Sequence, residues 1–373
     1  MVWELQKGRQ LLIMLLFESS ELLMDDENYP TNVYGKRIVW EIPVQLCMKD
    51  FLKKGMTAFD VGANIGAITI AMARIVGNNG KIHSFEANPF LIPRIKNDLE
   101  ANKISNVTLV PKAVWSKSLE KISFYCENSF YAAGSSMFIL NQNSKKIDVE
   151  AISIDDYCLQ NKTNPEVIKI DVEGAEFHVL KGAEQTIKKN YPIIVFEYIP
   201  SGYLEEEDPA QYLNSLGYKL FDTNLYSEVS RQFYLSHYKD LGAVNILAIP
   251  AQKFEKSPYH NISNILQETI NFGNGKLKSE SIHLKHAGRY RIVFEFDGPS
   301  EIIAGLIVSN IDGELLGFYE TQIFHLKQHS CSNIIIEIDK PTDIICQITS
   351  KELSEIILKK IDIFKINFNQ TIL

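Results

Sequence analysis

The residues of this chain that suggest chemistry begin with an acid and a glycine turn. Asp60 lies two residues before Gly62, and Gly66 follows Asn64. Glu86 ends the next strand-like run, about 20 residues beyond the turn. A strand, a glycine turn into a helix and a later acid are typical of an adenosine-binding site, where glycines admit the ligand and the acid accepts hydrogen bonds from the ribose hydroxyls.

The glycine spacing indicates which adenosine ligand to expect. A dinucleotide fingerprint would need glycine at positions 62, 64 and 67, and this chain has Gly62, Asn64 and Ala67 there. Asn64 tolerates left-handed backbone geometry and can replace a middle glycine. The pyrophosphate pattern therefore fails, and an acid before the turn suits a ligand that carries an ammonium group. We expect S-adenosylmethionine, with Asp60 facing its ammonium directly or through water.

A second group of ionisable residues lies in the apolar run 167–176. Lys169, Asp171 and Glu173 share one face if the run is a strand. Charges on a central strand are costly unless they pair or open into a crevice, and ligands bind beyond the carboxyl ends of such strands. We expect Asp171 and Glu173 to line the active site, either one as general base. A structural Lys169–Asp171 pair, with Glu173 at a helix N-terminus, is the alternative, and both can hold.

Other polar residues carry weaker signals. Glu197 ends another apolar run and is predicted to contact substrate or to cap a loop. His178 lies in the first helical turns after Asp171, where it could act as a base or substrate contact, or simply pack. Asp155 and Asp156 are expected to form a helix N-cap. No metal site is assigned, and a divalent metal at the carboxylates remains open.

The elements that must position these residues follow an alternating pattern. Across residues 51–252, apolar runs alternate with helical patterns, which is typical of a parallel sheet with crossover helices. The predicted strands are 57–61, 81–86, 107–112, 167–172, 192–197, 218–222 and 243–249. The predicted helices are 65–75, 89–102, 175–189 and 209–216. Residues 119–154 are predicted to form a hairpin-like insertion around Gly134, where a substrate lid could lie.

Beyond a linker at 252–258 the pattern changes to strands alone, and residues 259–373 are predicted to form a smaller β-sandwich of the jelly-roll kind. The Asp312-Gly313 pair predicts a hairpin turn. Aromatic residues such as Tyr290, Tyr319 and Phe324 could stack on sugars, although alternating aromatics in a β-sandwich mostly belong to its core. This leaves two alternatives open: a glycan-binding protein with an inactive front domain, or a homo-oligomer assembled through the C-terminal domain.

Composition narrows the class of protein. The 373 residues suit two domains, and a net charge of -8 disfavours a nucleic-acid groove. Five scattered cysteines favour a reducing, cytoplasmic compartment. Within the N-terminal segment 1–50, the apolar run near residues 11–17 is too short to span a bilayer, so no transmembrane segment is expected. Residues 8–24 are predicted to form a helix that packs on the protein.

Five blocks of this sequence together resemble the FkbM family of S-adenosylmethionine-dependent methyltransferases. They follow in family order across about residues 38–250: 59–66, 85–89, 154–157, 168–176 with 180–183, and 195–197. The resemblance implies a seven-strand, Rossmann-like methyltransferase fold and, usually, O-methylation of sugar or polyketide hydroxyls. We therefore expect an O-methyltransferase acting on a small molecule or on a sugar in a glycan or glycoconjugate. Ala87 stands where the family often has proline, and the C-terminal region lies outside the resemblance.

The resemblance also implies roles for particular residues. It would put one set on the cofactor: Asp60, Gly62, Asn64, Gly66 and Glu86. It would put Asp171, Glu173 and Glu197 near the reacting end.

Overall fold

A computed structural model describes most of the chain. The described ranges are 11–14, 21–24, 41–126, 145–239, 243–260 and, with gaps, 262–367. The gaps in the last range are 272–278, 280, 298–303, 311–314, 322–323, 327–329, 339 and 351–356. Gly134, the expected centre of the insertion, lies outside the described residues.

The described part of the N-terminal segment differs from the prediction. Leu11–Met14 (β1) and Glu21–Met24 (β2) form a two-stranded antiparallel sheet, so the helix predicted over 8–24 is wrong there. An apolar run this short fits a strand as well as a helix, because periodicity does not separate the two at that length.

The strands of the front half alternate with helices. In chain order the strands are Thr57–Val61 (β3), Lys81–Phe85 (β4), Val107–Val110 (β5), Ala113–Val114 (β6), Leu119–Cys126 (β7), Lys145–Ile152 (β8), Val167–Ile170 (β9), Ile193–Tyr198 (β10), Tyr218–Asp222 (β11), Ser227–Glu228 (β12), Tyr238–Lys239 (β13) and Val244–Pro250 (β14). The helices are Ile42–Phe51 (α1), Ala67–Val76 (α2), Ile92–Ala101 (α3), Ile154–Asn161 (α4), Glu176–Lys181 (α5), Glu184–Asn190 (α6), Pro209–Ser215 (α7), Arg231–His237 (α8) and Ala251–Phe254 (α9), with a short 3-10 helix at Glu205–Glu207.

One large sheet organises this half. Its strand order is β12-β11-β14-β10-β9-β3-β4-β5, in which β14 runs antiparallel to both neighbours and β10, β9, β3, β4 and β5 run parallel. The expected mixed α/β architecture is confirmed, and the two-residue β12 is added to the predicted strands. The chain moves outward from β3 through β4 to β5 and then returns to β9 on the other side of β3. Ligands bind at such a reversal, at the carboxyl ends of the strands.

Apolar residues on the central strands hold the sheet between two layers. Phe59, Ile168 and Phe196 are completely buried in one core cluster, and Ala58 and Val195 contribute to the cluster on the opposite face. Strands that are buried on both faces read as continuous apolar runs, which is why a charged residue within one is informative. Beside this sheet, β6, β8 and β7 form a small sheet of their own, and β7 pairs with β8 as the hairpin prediction required.

The described C-terminal strands form two antiparallel sheets. The strands are Ser263–Asn271 (β15), Ile282–Leu284 (β16), Gly288–Asp297 (β17), Ala304–Asn310 (β18), Leu315–Thr321 (β19), Phe324–Leu326 (β20), Ser330–Ile338 (β21), Thr342–Ser350 (β22) and Ile357–Asn367 (β23). The sheet orders are β13-β20-β21-β17-β23-β15 and β16-β22-β18-β19. The turn predicted at Asp312-Gly313 lies outside the described residues, but β18 and β19 on either side of it pair antiparallel.

Tyr290 is not available as a sugar platform. Its side chain is buried, and its hydroxyl donates a hydrogen bond to the carbonyl of His286 at 2.7 Å. The side chains of Tyr319 and Phe324 lie outside the described ones.

A buried ion pair joins the C-terminal sheets to α1. The Arg289 guanidinium on β17 donates to both carboxylate oxygens of Asp50, at 2.8 and 3.0 Å, and to the Tyr226 hydroxyl at 2.9 Å. Arg289 is only 3% exposed. Asp50 lies in the last turn of α1, so this contact anchors the carboxyl end of that helix.

Among the described residues, none of the helices combines the length and apolar character needed to cross a bilayer.

Candidate active site

A cleft opens where the strand order reverses. It is lined by residues from the ends of β3, β4, β9 and β10, from the small β6–β7 sheet and from the start of α1. The cleft brings together most of the predicted site residues: Gly62, Asn64, Glu86, Asp171, Glu173 and Glu197. Asp60, Gly66 and His178 are not part of its lining.

The glycine turn has the predicted backbone, but for a partly different reason. Gly62, Asn64 and Gly66 all have positive φ, at 79°, 50° and 86°, so Asn64 does occupy the left-handed region. A Cβ atom at Gly62 would lie 1.7 Å from the carbonyl oxygen of Asp171. The close approach that we assigned to a ligand is therefore made by the protein's own backbone. Gly66 directly precedes α2 and packs against Ile95.

Glu86 is held at the floor of the cleft by two backbone groups. Its carboxylate accepts N–H bonds from Asn64 and Asn88, one on each oxygen and each at 2.7 Å. Burial raises the pKa of Glu86 to about 7, and these two hydrogen bonds oppose the shift. Because a carboxylate oxygen accepts more than one hydrogen bond, both oxygens keep capacity for a ligand. The predicted contact with ribose hydroxyls stays a prediction that this geometry permits.

Asp60 lies behind the wall of the cleft. Its side chain is fully buried, its Oδ2 atom accepts the Thr69 hydroxyl at 2.5 Å, and its Oδ1 atom lies 3.7 Å from the Lys169 ammonium. The structure thus gives it a different place from the predicted one beside the cofactor's ammonium. In the parallel pairing of β3 with β9, Asp60 is the partner of Lys169. Its contact with the cleft runs through that lysine.

Lys169 is the buried cation of the site. Its ammonium lies 3.2 Å from Asp171 and donates a hydrogen bond to the Gly62 carbonyl at 3.0 Å. Burial opposes the charged form, yet Asp171, Asp60 and Glu41 together raise the pKa of Lys169 above its ordinary value. The Lys169–Asp171 pair that we held as an alternative is formed. It does not compete with a site role, because both residues line the cleft.

Carboxyl groups are concentrated beyond Asp171. Residues 170 and 196 are register partners in the parallel β9–β10 pair, so Asp171 and Glu197 extend from neighbouring strands at the same level. Burial, followed by Asp171 and Glu173, raises the pKa of Glu197 to about 9. Glu173 has a φ of 55° and turns away from the strand geometry assumed for it.

Glu41 is a lining residue that the sequence reasoning missed. It precedes α1 with a left-handed backbone, and burial together with Asp171 raises its pKa to about 7. The side chain of Asn245, the register partner of Glu197 on β14, lies close enough to oppose this rise in the pKa. Nothing near Glu41 in the sequence marks it, because the acids that it joins in the cleft, Asp171 and Glu197, are more than a hundred residues away.

Glu176 was also missed, although it lies within the quoted motif. It is fully buried, accepts the backbone N–H of Val172 at 2.9 Å and takes a hydrogen bond from the Tyr203 hydroxyl. It therefore braces the loop that carries Asp171 and Glu173. An acid at the start of a helix after a glycine was the available signal.

Two predicted roles are corrected. The His178 ring stacks on Trp115 with 4.0 Å between centroids, and burial lowers its pKa, so it packs and does not reach the cleft. The sequence does not determine which face of this short helix is turned towards the cleft, so the direction of the His178 side chain could not be predicted. Ser153, and not Asp155 or Asp156, caps α4. Asp155 instead accepts the backbone N–H groups of residues 185 and 186 and so caps α6.

Within the described ranges, no group of three or more histidine, cysteine or acidic residues is arranged to hold a metal ion.

The region that carries this cleft is similar to a known protein family. Residues 60–220 match the methyltransferase FkbM domain. The resemblance predicted from the sequence blocks is therefore confirmed over these residues, and the C-terminal region lies outside the match. All the predicted site residues fall inside this range, whereas Glu41 precedes it.

Individual proteins and solved structures are similar to different shares of the chain. A protein-L-isoaspartate O-methyltransferase of Methanococcoides burtonii is 40% identical over 65 residues, which are 17% of this chain and 32% of that protein. The solved methyltransferase FkbM of Methylobacillus flagellatus is 15% identical, with a TM-score of 0.37 over 52% of this chain and 44% of that one. A SAM-dependent methyltransferase of Aquifex aeolicus is 15% identical, with a TM-score of 0.31 over 56% and 89%. The chain thus spans about a third of the curated relative's length.

Proposed function

We propose that this protein transfers the methyl group of S-adenosylmethionine to a hydroxyl oxygen of a sugar in a glycan or glycoconjugate. The observation that carries the proposal is one cleft, inside the matched FkbM region, with Glu86 at one side and the Lys169–Asp171 pair at the other. Glu86 suits a ribose, and the Lys169–Asp171 pair suits a reacting hydroxyl.

The residues present fit the cofactor. Glu86 would hold the ribose hydroxyls, and Phe85 and Leu91 give the cleft an apolar wall suited to a purine. Asn64 lines the cleft, and its side-chain oxygen is buried and has no hydrogen-bond partner among the described residues. Buried acceptors are almost always satisfied, so a ligand N–H or O–H is expected there.

When bound, the cofactor supplies a methyl group that its sulfonium already activates. What remains for the chain is to align the acceptor oxygen and to remove its proton. We assign proton acceptance to Asp171 or Glu173, since both line the cleft near Lys169. Lys169 fixes the position of Asp171 and is itself held by Asp60 from behind.

A labelled-methyl transfer assay across sugar acceptors tests the proposal. Asp171→Asn and Glu173→Gln should reduce turnover while S-adenosylhomocysteine still binds as to the wild type. Glu100→Gln, an exposed surface change, is the matched control. Wild-type turnover in both cleft variants would exclude both residues as the base. Absence of transfer to any hydroxyl acceptor would overturn the function itself.

We also propose that the C-terminal region is an accessory β-sandwich that packs on the catalytic domain. Its two antiparallel sheets and the buried Arg289–Asp50 pair support this arrangement. The burial of Tyr290 removes one residue on which the glycan-binding alternative relied. Light scattering of the full chain tests whether this region joins two copies.

A further inference from the structure

The charge of the cleft limits which acceptors it accepts, an inference that rests on the proposed function. Five acids line it: Glu41, Glu86, Asp171, Glu173 and Glu197. Two lysines, Lys112 and Lys169, line it as well. Among the described contacts, Lys112 pairs with Glu150 at 2.6 Å, and Lys169 is committed to Asp171, Asp60 and the Gly62 carbonyl. The cleft therefore has more carboxyl groups than its own cations compensate.

The surplus lies on the acceptor side. Glu86 follows β4 and Glu197 lies near the end of β10, and β3 and β9 separate these strands in the sheet. Three strand spacings place the two positions roughly 14 Å apart. Glu86 faces the cofactor's ribose in the proposed function, so Glu197 lies beyond the reacting group and next to Asp171.

Glu41 extends this group through Asn245. Asn245 is the register partner of Glu197, and its side chain lies close enough to Glu41 to oppose the rise in the pKa of that carboxyl, so both glutamates lie beside Asn245. The second oxygen of Glu41, Oε2, is buried and has no hydrogen-bond partner in the described protein. A buried carboxyl oxygen left unsatisfied costs free energy until a donor reaches it.

We propose that Glu41 and Glu197 form a subsite for a protonated amine, so that the acceptor is an amino sugar whose free ammonium lies near the hydroxyl that is methylated. An ammonium supplies both the positive charge that the cleft's own lysines do not provide and a hydrogen-bond donor for Glu41 Oε2. Without it, Glu41 and Glu197 keep protons, in line with their raised pKa values. Sugars that carry carboxylate, sulfate or phosphate groups bring no ammonium donor and would add negative charge to a cleft that already holds more acids than lysines.

The test compares methyl glycosides of glucosamine, N-acetylglucosamine, glucose and glucuronic acid. Their binding to the full chain is measured by calorimetry with S-adenosylhomocysteine present, so that no turnover occurs. We expect the free amine to bind about tenfold or more tightly than its acetylated or amine-free counterpart, as for a charge-assisted contact. Its binding should also release protons, seen as a heat that depends on the buffer, because the glutamates ionise on contact.

The double variant Glu41→Gln/Glu197→Gln should lose both the preference and the proton release. Glu100→Gln, on the exposed surface, should keep both. Equal binding of the four glycosides by the wild type, or binding of none, overturns the inference, as does a preference that survives in the double variant. Methyl transfer to a neutral sugar with no amine preference would overturn the inference and leave the proposed function standing. An amine preference without methyl transfer to any acceptor would support the inference about the amine subsite and overturn the proposed function.

Discussion

The ammonium of Lys169 lies 3.2 Å from the carboxylate of Asp171, at the carboxyl end of β9. The same ammonium is the cation that faces Asp60, which is completely buried. One lysine therefore does two things: it compensates a charge inside the protein and fixes a carboxylate at the wall of the cleft. Substitutions at Lys169 and at three other residues of the site test these contacts.

Lys169→Met should destabilise the protein. The change leaves Asp60 buried without its cation, and breaking such a pair costs about 3–5 kcal/mol of unfolding free energy. Urea unfolding measures the loss. The double variant Asp60→Asn/Lys169→Met removes the buried Asp60 charge together with its cation and should recover much of that loss, because the partly exposed Asp171 is then the main group left without its partner. If the double variant were no more stable than the single one, the Asp60–Lys169 coupling would not exist.

Gly62→Ala should cost more than the left-handed backbone alone explains. A Cβ atom there meets the Asp171 carbonyl oxygen at 1.7 Å, whereas one at Gly55, with a φ of +89°, meets nothing within 4 Å. Gly55→Ala is thus a matched control, expected to lose about 1–2 kcal/mol for its backbone geometry. Gly62→Ala should lose about 1–3 kcal/mol more from overpacking. Equal urea midpoints for the two variants would contradict the contact.

Glu86→Gln should weaken cofactor binding. The amide loses the charge that strengthens ribose hydrogen bonds, and its NH2 group faces the N–H of Asn64 or Asn88. We expect the dissociation constant of S-adenosylhomocysteine to rise about 10- to 100-fold, the equivalent of one or two lost charge-assisted bonds. Calorimetry measures it, with Glu100→Gln as control. Unchanged affinity would place the ribose elsewhere.

Glu197→Gln should flatten the pH dependence of stability. In the folded protein burial raises the pKa of Glu197 from 4.5 to about 9, with Asp171, Glu173, Glu176 and Glu41 adding to the shift. The folded state thus keeps a proton that the unfolded state loses, so this contribution is complete below about pH 4.5 and disappears as the pH rises towards about 9.

Urea unfolding across that range measures the effect. The unfolding free energy of the wild type should fall more steeply with rising pH than that of the variant, because the amide has no proton to lose. Parallel curves for the two proteins would show that Glu197 titrates normally. Burial and the neighbouring acids Glu176 and Glu197 raise the pKa of Tyr203 above its ordinary value, so Tyr203 stays protonated over this range.

The sequence predicted well what a single segment determines. The turn at Gly62 and Asn64, the strands around it and the ionisable residues on β9 all follow from local alternation and spacing. The pairing of Lys169 with Asp171 was within reach for the same reason, since the two residues share a strand face.

Relations between distant segments were not predictable. Glu41 reaches the cleft because α1 lies against β10 and β14, and Asp60 is withdrawn from it because Lys169 on the neighbouring strand stands in front. The steric demand at Gly62 comes from a carbonyl at residue 171. Such contacts depend on how elements pack in three dimensions, and spacing along the chain carries no record of it.

Helix α1 links the cleft to the C-terminal sheets. Glu41, directly before the helix, lines the cleft, and Asp50 in the last turn of the helix forms an ion pair with Arg289. Asp50 and Arg289 both lie outside residues 60–220. A substitution at the contact between α1 and β17 would therefore shift Glu41 and one wall of the cleft without changing any residue of the region that matches the FkbM domain.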